Sequence, residues 1–95
     1  MLEINQIKEV AAQMAVNYSI KKVSLFGSYA EGIASDISDV DLLVEFLTPN
    51  VSLLTLAGIK NEMEEKLHKS VDIIHGPLPE DSLLKLKKVI NIYEQ

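Results

Sequence analysis

Phe26-Gly27-Ser28-Tyr29-Ala30-Glu31-Gly32, followed by Ser38-Asp39-Val40-Asp41-Leu42-Leu43-Val44, is the stretch on which the reading of this chain turns. The second segment has the pattern of a strand opening on two acids. Side chains alternate across a strand, so Asp39 and Asp41 stand side by side on one face while Val40, Leu42 and Val44 point into a core. Two carboxylates so placed repel each other unless a proton or a cation lies between them. A hard divalent ion meets that need, and Mg²⁺ typically takes one or two carboxylates together with substrate phosphates. The first segment ends the β-type run Lys22-Val23-Ser24-Leu25-Phe26 and turns into one or two helical turns over 28–33, broken by Gly32. At such a strand-to-helix turn Gly27 lets the backbone approach a ligand, free N–H groups favour phosphate, and Ser28 can donate its hydroxyl. A phosphate cradle facing a carboxylate cluster is the minimum equipment for metal-dependent nucleotidyl transfer, in which positioning and electrostatics do the catalysis.

A third acid lies further on. Asp72 interrupts the apolar run Val71-Asp72-Ile73-Ile74, and an unpaired ionised acid is costly in such a setting. If this strand lies beside the second, Asp72 joins the pair as a metal ligand or as a base. Each feature alone has an ordinary explanation: a Gly-Ser turn, a solvated strand end, an edge-strand acid facing water. The spacing of all three together is what separates the chemical reading from those.

Working outward, Ile4, Ile7, Ala11, Met14 and Tyr18 recur at steps of three and four, which predicts an amphipathic helix over 4–18. The strand opening at Asp39 should run to Leu47, ending at Thr48-Pro49-Asn50. A second long helix is expected over 52–69, with Leu53, Leu56, Ile59, Met63 and Leu67 on its stripe; Glu62, Glu64, Glu65, Lys66 and Lys69 solvate the remainder. Val71–His75 is the third strand, closed by Gly76-Pro77. A closing helix is expected from Pro79, with Glu80 and Asp81 favourable to its dipole and Leu83, Leu86, Ile90 and Tyr93 as its buried stripe. The sum is one α/β (α+β) domain over 1–95, a small mixed three-stranded sheet flanked by about four helices.

The chain has 95 residues, room for one domain with a small core. It lacks cysteine, which excludes disulfides and thiolate metal sites. No apolar run reaches the roughly 20 residues of a membrane span, and no basic leader opens the chain, so a cytoplasmic location is expected. Fourteen acids face nine bases, for a net charge of −5, and every base is Lys. Duplex binding normally demands a basic stripe; Lys85, Lys87 and Lys88 read instead as solvated residues beside a helix end. Direct contact with nucleic acid is not expected. Helix stripes of this kind serve equally as core or as an interface, leaving homo- and hetero-oligomers open.

Gly27-Ser28, ten intervening residues, then Asp39-Val40-Asp41 resembles the signature of the DNA polymerase β-like nucleotidyltransferase superfamily, most closely its minimal, stand-alone members, the MNT proteins. Leu25 to Ser28, Ala30, Gly32, Ser38-Asp39, Asp41 to Val44 and Val71-Asp72 all fall where that family places such residues. The resemblance implies that Asp39 and Asp41 bind two Mg²⁺ ions holding the triphosphate of ATP. It implies that Asp72 completes the metal site and helps activate the acceptor hydroxyl, and that Gly27 and Ser28 contact the β- and γ-phosphates. Minimal members of this kind are similar to the antitoxin half of HEPN–MNT toxin–antitoxin pairs, in which AMP passes from ATP to a tyrosine of the HEPN ribonuclease and silences it. An acceptor carried by a separate chain is also what the short length suggests.

One departure stands out. Many such proteins read Gly-Ser-Arg-Ala-Arg-Gly at the turn, where this chain has Tyr29 and Glu31 in place of both arginines. That motivates a second reading, a binding module that neutralises its partner by occlusion; a third is a catalytic subunit for a small-molecule or nucleic-acid acceptor held by a separate chain. His68 and His75, without the partners of a zinc site, read as capping or surface residues. Tyr29 reads as a packing or surface residue, and Ser28 lacks the base that a covalent nucleophile would require.

Overall fold

A computed structural model describes residues 2–95. The chain runs α1 (Ile4–Asn17), β1 (Ile20–Phe26), α2 (Gly27–Glu31), β2 (Val40–Phe46), α3 (Leu53–Leu67), β3 (Val71–His75), α4 (Glu80–Leu84) and β4 (Ile90–Glu94). The strands form one mixed sheet in the order β3-β2-β1-β4. β1 is antiparallel to both β2 and β4, whereas β2 and β3 are parallel. The parallel pair requires a crossover, and α3 supplies it.

The alternation read from β2 places its side chains as expected. Val40, Leu42 and Val44 enter a core with Val23 and Leu25 of β1, Ile7 and Met14 of α1, and Ile59 and Met63 of α3. Burying a side chain of this size contributes about 1.5–3 kcal/mol, so the β1–β2 centre anchors whatever stands at the strand ends. α1 and α3 are tied across their polar margin by the Tyr18 hydroxyl, which donates to Glu62 Oε1 at 2.7 Å. Ser52 caps α3 by accepting from the Thr55 N–H at 3.1 Å. His68 ends that helix in the left-handed conformation, φ 55°, the capping role expected of it. Among the described residues no helix is long and apolar enough to cross a membrane.

Two expectations are corrected. The first concerns the carboxyl end, where the closing segment is not one helix and the sheet gains a fourth strand. α4 stops at Leu84 with none of its residues buried, and 90–94 forms β4 instead. The three- and four-residue spacing of Leu83, Leu86, Ile90 and Tyr93 competes with a period of two in Ile90-Asn91-Ile92, which buries Ile92 to 7% exposure. The free edge of β1 decides between them: Asn91 pairs with Ser24 and Ile90 with Leu25, satisfying backbone groups that a helix would have left open. The second correction is Leu53, placed on the buried stripe by its spacing but 83% exposed in the first turn of α3, beyond the sheet that covers Ile59 and Met63.

Candidate active site

β1 ends at Phe26, opposite Asp41 near the start of β2, and Asp41 is in turn opposite Asp72 on parallel β3. Paired residues share a face, so the two carboxylates stand on neighbouring strands, on the side away from the core. Asp39 lies two residues before Asp41 and one before the strand begins. Asp39 and Asp72 are exposed, and Asp41 is half-buried. Burial pushes the Asp41 carboxyl above the usual carboxylate range, and the negative charges of Asp72 and then Asp39 push it further. The three acids expected from sequence therefore form one electrostatic unit.

Gly27 closes this unit from the β1 side. Its φ of +73° is left-handed, and a Cβ built there would run into Asp41 Oδ2, with Asp41 Cγ at 3.0 Å. Only a glycine lets the turn both adopt that backbone and lie against the carboxylate. Ser28 follows as the second residue of α2, whose end is set by Gly32 (φ +75°) and by the Ile33 N–H donating to the Ser28 carbonyl at 3.0 Å. Gly27, Ser28, Asp39, Asp41 and Asp72 are thus brought to one end of the β1-β2-β3 unit.

The donor set is all hard oxygen, and three carboxylates gathered at one strand end suit a divalent cation. Among the described residues no three such side chains are already drawn into an ion cage. The acids instead line an open shelf. Two surface cavities lie elsewhere, about 380 Å³ around Tyr18, Phe46 and Thr55 and about 430 Å³ around Lys21, Glu45 and His75, both at the far end of β2.

Tyr29 packs in the hydrophobic core, and its hydroxyl has no hydrogen-bond partner among the described residues. His75 stacks edge-on against Phe46, with ring centroids 5.3 Å apart. One local device escaped the sequence reading. Glu64 and Lys60, taken there as a solvated face or left unassigned, bind the backbone of Val71 next to Asp72. Their only advance signal was the helical i, i+4 Lys–Glu spacing.

Comparison with known proteins agrees with this geometry. Residues 5–94 match the family model described as "Polymerase beta, Nucleotidyltransferase". A Methanocaldococcus jannaschii protein, named by inference as a protein adenylyltransferase, is 41% identical over 88 residues, spanning 87% of this chain and 92% of the relative. A toxin–antitoxin crystal structure with AMP-PNP superimposes with a TM-score of 0.77 at 18% identity, covering 99% of this chain and 75% of that one. The structure of a tri-AMPylated Shewanella oneidensis HEPN toxin in complex with MNT antitoxin gives a TM-score of 0.66 at 16% identity, with 97% and 70% covered. With the family model matched over nearly its whole length, the chain belongs to the polymerase β-like nucleotidyltransferases.

Proposed function

We propose that this protein is a Mg²⁺-dependent protein adenylyltransferase that moves AMP from ATP to a tyrosine hydroxyl of a HEPN-family toxin, and so acts as its antitoxin. The observation that carries the reading is the register that sets Asp41 beside Asp72, with Asp39 two residues ahead and the Gly27 backbone against Asp41. The relative named a protein adenylyltransferase and the AMPylated HEPN toxin complex support the substrate and the partner.

In this reading Asp39 and Asp41 hold Mg²⁺, with Asp72 completing the set. Bound there, Mg²⁺ would neutralise the triphosphate and stabilise charge on the attacking and leaving oxygens. Gly27 and Ser28 hold the β- and γ-phosphates, the hydroxyl of Ser28 donating to a phosphate oxygen. Asp72 accepts the proton of the acceptor hydroxyl, whose oxygen bonds to the α-phosphorus. The bond from that phosphorus to the bridging oxygen breaks, and pyrophosphate departs. The exposure of Asp39 and Asp72 suits an acceptor that arrives on another polypeptide.

The test incubates the purified protein with ATP, Mg²⁺ and the HEPN protein encoded beside it, and weighs the partner by intact mass spectrometry. Increments of one AMP are expected, abolished by Asp39→Asn and by Asp41→Asn. An unmodified partner that is nevertheless neutralised would establish occlusion instead, the reading that the missing arginines favour.

A further inference from the structure

β3 is an edge strand, so one side of its backbone has no neighbouring strand. Its inner side is tied to β2, beginning with the Val40 N–H, which donates to the Ser70 carbonyl at 2.9 Å. The N–H and C=O of Val71, next along, are taken up by two side chains of α3. Glu64 Oε2 accepts from the Val71 N–H at 2.8 Å. Lys60 Nζ donates to the Val71 carbonyl at 2.6 Å and to the same Glu64 oxygen at 3.0 Å. The Val71 hydrogen bond, and after it the one from Lys60, holds the Glu64 carboxyl below its ordinary range, so it is ionised wherever the protein is folded at neutral pH.

We infer that Lys60 and Glu64 are positioning residues for Asp72, fixing the first residue of β3 so that the next side chain is presented to Asp41. A residue pinned on both backbone groups cannot tilt without breaking charge-assisted hydrogen bonds. The buried Val71 side chain and the Ser70–Val40 hydrogen bond hold the strand start on its inner side, and the clamp fixes the outer backbone side, which no strand covers. Capping an exposed edge is also a structural service. The geometry is more specific than that service requires, since both side chains converge on one residue, and it is the residue before Asp72.

This inference rests on Asp72 belonging to the acid site, and the test separates the two. Mg²⁺·ATP binding to the isolated protein is measured by calorimetry, the half-saturating Mg²⁺ of AMP transfer by kinetics, and exchange of the Val71 amide by NMR. These are compared for wild type, Glu64→Ala, Glu64→Gln, Asp72→Asn and Glu64→Ala/Asp72→Asn. Glu64→Ala is expected to accelerate Val71 exchange and to weaken Mg²⁺·ATP binding by about tenfold, the low end for residues that orient metal ligands. Glu64→Gln, which keeps an oxygen for the Val71 N–H, should recover most of that loss. In the Asp72→Asn background Glu64→Ala should add less than about twofold, because its effect passes through Asp72. An equal loss in both backgrounds, or no loss with Asp72 intact, overturns the positioning role while leaving the site standing. Asp72→Asn without effect on binding or transfer overturns the site reading itself. Should Glu64→Ala fail to fold, Lys60→Met provides the same comparison from the other side of the clamp.

Discussion

Replacing Gly27 by Ala isolates the contact on which the shelf depends, because Gly32 provides a matched control. Both glycines have nearly the same left-handed backbone, φ +73° and +75°, but a Cβ at Gly32 meets nothing within 4 Å. Left-handed backbone costs an L-residue roughly 1–2 kcal/mol, and the lost freedom of the unfolded chain returns roughly 0.4–1 kcal/mol. Gly32→Ala should therefore destabilise by about 1 kcal/mol. Gly27→Ala carries the same strain plus the collision with Asp41, and forced overpacking typically costs about 1–3 kcal/mol. A total of about 2–4 kcal/mol follows, which for a chain of this size lowers Tm by roughly 10–30 °C. Asp41→Ala removes the carboxylate, so in that background the cost of Gly27→Ala should fall toward that of Gly32→Ala, a coupling of about 1–3 kcal/mol. Urea unfolding of the four proteins of this cycle, with Gly32→Ala beside them, measures it. Equal costs at the two glycines, or a cost at Gly27 indifferent to Asp41, would refute the argument that the turn is pressed against the acid.

Two further outcomes are expected. The folded protein raises the Asp41 pKa, so it binds the proton more readily than the unfolded chain does. Its ionised form is then a penalty, fully present above the raised value and gone below the ordinary carboxylate range. Asp41→Asn should accordingly raise Tm at neutral pH, by a margin that shrinks as pH falls through that window; a margin constant from neutral pH to pH ~3 would contradict the cause assigned to the shift. The corrected carboxyl end is checked by truncation in pairs. Ile92→Ala, at the buried position of β4, should cost about 2–5 kcal/mol, whereas Leu84→Ala, 78% exposed, should stay within about 0.5 kcal/mol; the reverse order by urea denaturation would restore a packed closing helix.

The centre of the fold was readable because local and tertiary preferences agree there. Asp39 and Asp41 alternate with Val40 and Leu42, and a strand satisfies both sets, which is why the sequence alone points to these acids as a pair. The adjacency of β2 and β3 was a condition in the sequence argument, and the parallel register met it. Ile90 to Glu94 was misread because two periods fit the same residues, and the deciding term, the vacant edge of β1, is not local. The Lys60–Glu64 clamp was invisible for a related reason: its partner is a backbone N–H and C=O at Val71, and backbone leaves no mark in residue identity.

The absent arginines can now be weighed physically. At position 29 the side chain is core, 6% exposed, so in this chain that position does not address the shelf, and a guanidinium there would meet a burial cost before it met a phosphate. Two lysines do come close to the backbone beside the acids, and both are engaged. Lys60 holds the Val71 carbonyl, and Lys69 Nζ donates to the Asp36 carbonyl in the loop that leads to Asp39. Their charge is spent on backbone carbonyls near the acids. A triphosphate brought against three carboxylates in a chain of net charge −5 therefore has little positive charge to meet from these side chains. In the proposed reaction that compensation falls to the divalent cations, which makes transfer depend on Mg²⁺ more steeply than in relatives that keep arginines at the turn. The same reasoning gives the acidic shelf a second consequence: a partner docking there is favoured by basic groups around its acceptor hydroxyl, and salt should weaken the encounter.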